Sequence, residues 1–479
     1  MRSCARSSRF FRDERAGGYT YYADGQVETI TSSNANGASV GYTYDDLNRL
    51  STVVDYNLSG QNTTTYTYDP ASNVATVSTP NGLQSSFTYD QLNRLTGMNS
   101  SISGYTYTLG ATGSRTQAVE SNGRTINWNY DGIYRLTNES IASDPDNNNG
   151  SASYNLDPVG NRSSMTSTLP GINSGSWGYN ADDQISSETY DANGNVLATG
   201  GKTYTYDSEN HMISANSGQV TMIYDGDGNR VSKTVGGVTT QYLVDDLNPT
   251  GYAQVVEEVV NGAVTRQYTY GLQRISENQI ISNTWTPSFY VCDGGGNVRQ
   301  LTNSAGVMTD EYEYDAFGNS FTKVGTTPNN YLYRGEQFDT DLGLYYLRAR
   351  YYNPATGRFL SRDPLDGNAI DPKSLHKYLY AGGDPVNGLD PTGRAFSVGY
   401  ELGVAFTRTY VAPLIALACA IDTVYSAAAE ITKAASEHYP GLGIKKLPFP
   451  PLPYHIPCVI VGLWYSILYM SGLFFGVGG

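Results

Sequence analysis

Tyr42-Thr43-Tyr44-Asp45-Asp46-Leu47-Asn48-Arg49-Leu50 is a phrase that this chain repeats. It returns as Phe87-Thr88-Tyr89-Asp90-Gln91-Leu92-Asn93-Arg94-Leu95 and as Tyr204-Thr205-Tyr206-Asp207. Further copies are Tyr224-Asp225 with Gly228-Asn229-Arg230, and Tyr312-Glu313-Tyr314-Asp315 with Gly318-Asn319. Self-similarity at spacings of roughly 20 residues means a fold built by stacking one unit. Tyr-x-Tyr has a period of two, so both rings leave one face of a strand. Tyrosine and threonine suit a pleated, half-buried surface. The aspartate ends the strand, and its carboxylate can accept N–H groups just downstream, as in an Asx turn. Three residues later stands Asn48, Asn93, Gly160, Gly194, Asn210, Gly228, Gly296 or Gly318, residue types that tolerate positive φ. The unit therefore reads as a strand, an Asp-started turn with a left-handed residue, and a second strand, which is a hairpin or meander module. Tyr68-Asp69, Tyr130-Asp131 and Tyr179-Asn180 lack Asn or Gly at the third position, so these copies are expected to depart from the turn rule. The expected fold class is mainly all-β and antiparallel, with a small, mainly α tail.

The chain of 479 residues has 41 tyrosines, 52 glycines and only 16% charged residues. That length suits one large repeat assembly and a second domain. A net charge of −15 argues against a general nucleic-acid-binding surface on the array. Cys4, Cys292, Cys419 and Cys458 are too scattered for a disulfide framework or a zinc site, and no metal or cofactor is expected. Arg2, Arg6, Arg9, Arg12 and Arg15 open the chain without a following apolar run, which is not the pattern of a Sec signal peptide. Repeat sequence begins at residue 18, so the start is expected to be a truncated or re-annotated end.

Four regions follow. Residues 1–17 are expected to form a disordered basic arm. Residues 18–330 form the repeat array, and residues 331–393 a denser motif. In residues 394–479 the Tyr-Thr-Tyr phrases vanish, alanine and large aliphatics rise, and the patterning becomes helical. Asp390-Pro391-Thr392-Gly393 punctuates the change, as Pro and Gly suit a turn-rich boundary.

The dense motif carries a resemblance. It reads Tyr331-Leu332-Tyr333-Arg334-Gly335-Glu336-Gln337-Phe338-Asp339, then Gly343-Leu344-Tyr345-Tyr346-Leu347-Arg348-Ala349-Arg350-Tyr351-Tyr352. It continues through Asn353-Pro354-Ala355-Thr356-Gly357-Arg358-Phe359-Leu360-Ser361-Arg362-Asp363-Pro364 to Tyr378-Leu379-Tyr380 and Asp384-Pro385-Val386-Asn387. Together with Asp390 to Gly393, this resembles the RHS-repeat-associated core domain, and the upstream phrases are similar to the YD repeats of that family. The resemblance covers roughly residues 19–393. It implies an antiparallel sheet spiralling into a hollow shell, a core motif curled inward as a plug, and a variable C-terminal effector held inside until delivery. Such a spiral also hides strand edges that would otherwise pair with other chains. The arginines of the motif, Arg334, Arg348, Arg350, Arg358 and Arg362, are read chiefly as structural glue, because arginine stacks on rings and forks to carboxylates.

Family members often cut themselves just after the core with aspartates of their Asp-Pro motifs. The resemblance assigns that chemistry here to Asp363 and Asp390, supported by Arg362 and Arg358, with the cut between Gly393 and Arg394. Two nearby carboxylates with split acidities would supply one charged base and one protonated acid. Arg394 stands where the family usually has an apolar residue, and the interval between the aspartates carries extra residues around Asp371-Pro372-Lys373-Ser374. The plainer reading makes each aspartate the start of an Asp-Pro turn.

The tail holds no readable nuclease, deaminase or peptidase motif. From Ile456 to Gly479 there is no charged residue, and Trp464 and Leu468 lie at the centre of this run. A bilayer-spanning helix needs about 20 such residues, so a membrane-inserting helix is expected. Three functional readings result. The first is an RHS-type polymorphic toxin, or a fragment of one, with a membrane-active tail. The second is a shell around a small enzymatic toxin, and the third a cell-surface interaction protein with an inactive tail. Expected partners are a cognate immunity protein, a delivery component at the N-terminal end and membrane lipid. The expected location is secreted or delivered to the cell surface, in interbacterial competition.

Overall fold

The computed structural model describes residues 18–367 and 372–394, and the backbone of Ser397 and Val398. The chain divides into two compact units, residues 1–90 with 94–403 and residues 91–93 with 404–479. Nearly all described residues belong to the first unit. The basic arm, and the tail with Trp464 and Leu468, lie outside the described residues. Among the described residues no helix is long and apolar enough to cross a membrane.

Every strand of the array pairs antiparallel with its neighbour in sequence. Fifteen strands from Gly18–Tyr21 to Gly175–Ser176 form one sheet, and fourteen from Thr189–Tyr190 to Ser320–Val324 form a second. The period-two pattern sorts the faces as expected. Tyr42 and Tyr66 are buried. Between them in the pleat, Thr43 faces Thr52 and Thr67 faces Thr76, each pair joined hydroxyl to hydroxyl at 2.7 Å on the exposed side. Such cross-strand pairs are the unit of sheet stabilisation.

The Asp turn has one geometry throughout. At Asp45, Oδ1 accepts the N–H of Leu47 at 3.0 Å and of Arg49 at 2.9 Å, while Oδ2 accepts Arg49 Nε at 2.8 Å. At Asp315 the same oxygens accept the N–H groups of Phe317 and Asn319 and the side-chain amide of Asn319. The third residue after the aspartate is left-handed, with φ of 61° at Asn48, 85° at Gly194, 83° at Gly228 and 90° at Gly318. The copies expected to break the rule keep it. Ser72, Tyr134 and Asp183 adopt φ of 68°, 62° and 59°. The aspartate or asparagine bonds and the strand pairing outweigh the 1–2 kcal/mol or so that a side chain costs in that region, so residue type there is a preference and not a requirement.

A second bond ties each turn to the one before it. The tyrosine that ends the strand sits on a β-bulge, as at Thr43/Tyr44 and Thr67/Tyr68, which re-aims the side chain. Its hydroxyl then donates to a carbonyl at the start of the preceding strand. Tyr44 bonds Val27, Tyr68 bonds Leu50, Tyr89 bonds Val74 and Tyr130 bonds Arg115. Tyr179 bonds Arg162, Tyr224 bonds Met212, Tyr270 bonds Val255 and Tyr314 bonds Val298, all at 2.6–3.1 Å. Tyr190 donates to Glu188 instead, and the buried hydroxyl of Tyr206 has no partner.

The turns at the other strand ends of the first sheet rest on the second. Asn34 and the Ala38 N–H donate to Glu257, Asn81 to Thr302, and Asn148 to Glu313. Arg124, 1% exposed, joins Glu120, Asp144 and Glu313, and Arg299 takes the same Glu120. Glu139 accepts the Ala316 N–H at 2.6 Å beside the Asp315 turn.

Residues 337–359 form a four-stranded sheet of Gln337–Asp339, Leu344–Leu347, Arg350–Asn353 and Arg358–Phe359. It is buried against both array sheets. Tyr345, Tyr352, Phe359 and Tyr380 share a core with Tyr268, Tyr312 and Tyr314 of the second sheet. Val386 packs with Leu136, Tyr154 and Phe317. The motif's buried arginines are partnered as an interior requires, though not uniformly by carboxylates. Arg334 binds the carbonyls of Gly295, Pro385, Val386 and Gly388. Arg348 pairs with Glu336 at 3.0 Å. In the second sheet Arg230 meets Asp339 at 2.5 Å and Gln337 at 2.9 Å, fixing the four-stranded sheet to it.

Candidate self-cleavage site

Asp363 and Asp390 are 27 positions apart in sequence and meet on one side chain. Arg350 Nη2 lies 2.8 Å from Asp363 Oδ2 and 3.2 Å from Asp390 Oδ2. The same guanidinium donates through Nε to the carbonyl of Gly393 and through Nη1 to that of Lys377 at 3.1 Å. Its plane sits 3.6 Å over the Phe359 ring, a stacking that suits arginine. Strand pairing in the core sheet fixes Arg350, because Leu347 and Arg350 are the paired residues that close its hairpin. Asp363 is anchored by its own N–H to Lys377 O at 2.8 Å and by Leu365 N–H to Oδ1 at 2.9 Å.

Asp390 starts a turn of the array type. Its Oδ1 accepts the Arg394 N–H at 3.0 Å and the Thr392 hydroxyl at 3.4 Å, and Gly393, three residues on, has φ of 64°. In the array the other carboxylate oxygen binds the side chain four residues on; at Asp390 it binds Arg350 instead. Gly393 is required on two counts. Its φ is left-handed, and an added Cβ would overlap the Leu347 carbonyl oxygen.

Burial raises the pKa of Asp363, Arg350 opposes this, and the charge of Asp390 adds to the rise. Burial pulls Arg350 below its ordinary value against the pull of both carboxylates. One cation thus faces two carboxylates around the carbonyl of Gly393 and the amide nitrogen of Arg394.

Arg358 and Arg362 lie elsewhere. Arg358 binds Asn161 Oδ1 at 2.6 Å and the Asp183 carbonyl, and stacks near Tyr179 and Tyr378. Arg362 packs on the turn at Gly194. Among the described residues neither is ion-paired to Asp363 or Asp390. The cation at the aspartates is Arg350, which the sequence presents only as one of several arginines. The signal for it is the alternation in Arg348-Ala349-Arg350, which places both arginines at the tip of one buried hairpin.

A family model described as Teneurin YD-shell matches residues 112–386, and one described as RHS Repeat matches residues 68–101. The chain belongs to the YD-shell family. It is 33% identical over 262 residues to the tRNA3(Ser)-specific nuclease WapA of Bacillus spizizenii, covering 50% of this chain and 11% of that protein. It is 32% identical over 116 residues to double-stranded DNA deaminase toxin A of Burkholderia cenocepacia, covering 23% of this chain and 8% of that one. In fold it is similar to the Photorhabdus luminescens Tc holotoxin pore, with a TM-score of 0.66 at 19% identity over 81% of this chain and 22% of that chain. The chain thus spans about a tenth of the WapA protein.

Proposed function

We propose that this chain is the shell and core of an RHS-type polymorphic toxin, and that it cuts itself between Gly393 and Arg394 to free the segment that follows. The observation that carries the reading is the meeting of Asp363, Asp390 and the Gly393 carbonyl on Arg350. Arg350 is placed to bear the negative charge that develops on the Gly393 oxygen, the kind of preorganised stabilisation that dominates acyl transfer. Asp390, next to the Arg394 nitrogen, takes a proton from water and passes it to that nitrogen as the C–N bond breaks. Asp363, whose pKa burial raises, is the acid of the pair. Like charges that share a site cannot both ionise freely.

Mass spectrometry of the purified chain tests this. A fragment beginning at Arg394 is expected, and Asp390→Asn should remain intact. An uncut parent chain would leave both aspartates as turn formers.

The freed segment has two readings. The uncharged run from Ile456 to Gly479 favours a membrane-active effector. The nuclease and deaminase names of relatives favour a small enzyme, with an immunity protein as its partner in either case. Inducible expression of residues 394–479 in bacterial cytoplasm and periplasm separates them. Loss of membrane potential supports the first reading, and growth arrest with potential intact supports the second.

A further inference from the structure

His376 binds in two directions. Its Nδ1 accepts the N–H groups of Tyr378 and Leu379, each at 3.1 Å. A ring nitrogen that accepts donors carries no hydrogen, so the hydrogen of the neutral imidazole is on Nε2. Nε2 donates to Asn161 Oδ1 at 2.8 Å. Asn161 stands four residues after Asp157 in an array turn. Its amide nitrogen is bound to Asp157 at 3.0 Å and to Asp183 at 2.7 Å, and its oxygen is turned to the core.

The Tyr378 N–H and the Lys377 carbonyl belong to one peptide, which is trans. In a planar trans peptide the two groups point opposite ways. Holding the N–H on His376 therefore aims the carbonyl the other way, where it accepts the Asp363 N–H at 2.8 Å and Arg350 Nη1 at 3.1 Å. Arg350 in turn holds Asp363, Asp390 and the Gly393 carbonyl.

Arg358 competes for the ring. Its Nη1 lies 3.5 Å from His376 Nε2, and a donor there favours a bare Nε2 with the hydrogen on Nδ1. That tautomer would aim Nδ1–H at the two backbone N–H groups. Asn161 Oδ1 prevents it, because it also takes Arg358 Nη1, at 2.6 Å. The hydrogen bond at one ring nitrogen sets the state of the other. The ring stays neutral, since burial and then the charge of Arg358 push it down to about 4, against Asp183 and Asp157.

We infer that His376, kept in its Nε2–H tautomer by Asn161, is a positioning residue for the cut after Gly393. The inference rests on the self-cleavage reading above. His376 acts through the Lys377 peptide on Arg350 and Asp363, and forms or breaks no bond of the reaction. It makes the cut depend on an array turn 215 positions away in sequence.

The test follows the fraction cut over time in full-length chains made by cell-free translation, read by mass spectrometry. His376→Leu leaves both N–H groups without their acceptor. It should slow the cut about tenfold or more, since a misplacement of about 1 Å can cost some 10²-fold. His376→Asn puts an amide oxygen in place of Nδ1 and should restore most of the parent rate. Asn161→Ala should slow the parent but change the His376→Asn chain far less, because an asparagine has no tautomer to set. A merely structural role of Asn161 in its turn would slow both chains alike. His211→Asn, at the other histidine among the described residues, should cut at the parent rate. If His376→Leu fails to fold, the Asn161 comparison decides. The role of His376 is overturned, and the self-cleavage reading stands, if the parent cuts in an Asp390-dependent manner and any of three results follows: His376→Leu matches its rate, His376→Asn is as slow as His376→Leu, or Asn161→Ala acts equally in both chains. A parent chain that never cuts overturns both.

Discussion

The hydroxyl of Tyr68 donates to the carbonyl of Leu50 at 2.7 Å, joining two neighbouring Asp turns. A hydrogen bond of this kind contributes about 1 kcal/mol net. Tyr68→Phe should therefore lower the stability of the array by about that amount, seen as a lower urea midpoint with unchanged slope. Tyr206→Phe should show no such loss. Equal losses in the two variants would mean that ring packing, and not the hydroxyl, stabilises the units.

Tyr134 sits half-exposed at a left-handed φ of 62°. Tyr134→Gly removes the steric penalty of that region, at about 1 kcal/mol, and gives up little packing. The variant should be more stable by a few tenths to about 1 kcal/mol. A clear loss would show that the ring is needed where it lies.

Arg350 is buried with two carboxylates against it. Removing one side of a buried ion pair costs about 3–5 kcal/mol. Arg350→Ala should destabilise the core by that order in chemical denaturation and also stop the cut after Gly393. Asp390→Asn leaves Arg350 paired with Asp363, so it should stop the cut at a much smaller loss of stability.

Gly393→Ala puts a methyl group where the Leu347 carbonyl oxygen stands, at a left-handed φ. The Asp390 turn should shift and the cut should be lost, while the array keeps its thermal transition. Mass spectrometry and calorimetry on one sample read both.

Glu139 is pushed up to about 8 by burial and then by the charge of Asp315, against the Ala316 N–H and Arg124. In the folded chain it keeps its proton through neutral pH, whereas an unfolded glutamate releases its proton near about 4.3. The folded state thus binds the extra proton between roughly pH 4.3 and about 8. This group's contribution to stability is full below that window and declines as pH rises through it. Glu139→Gln keeps an acceptor for Ala316 and cannot ionise. Its thermal midpoint should fall less than the parent's between pH 5 and pH 8, and parallel curves would refute the assignment.

Much of the array was legible because each local choice agrees with the next. The Tyr-x-Tyr pleat, the aspartate and the left-handed third residue all act within a nine-residue phrase. The errors came from reading residue type as a rule. Ser72 and Tyr134 carry the turn because Asp69 and Asp131 hold it through their N–H bonds. The backward bond of the terminal tyrosine was not legible, since it joins residues 12 to 18 positions apart through a bulge that no local pattern announces. At the site, the pairing of Asp363 with Asp390 could be carried over from the motif, but the identity of their cation could not. Arg350 meets them only because the core hairpin folds back on the Asp390 turn, a contact over 40 positions.

The tyrosine bonds have a direction. Each of the eight points from a later hairpin to an earlier one, never the reverse. For these bonds, a hairpin that emerges from a ribosome or a secretion channel finds its acceptor already standing, while other contacts of the first-made end, such as Tyr22 on Tyr42 and Asn34 on Glu257, form only when the later strands arrive. Growth from the N-terminal end lets the array form during synthesis or passage. A chain released whole from denaturant lacks that ordering and has many similar hairpins able to dock out of turn.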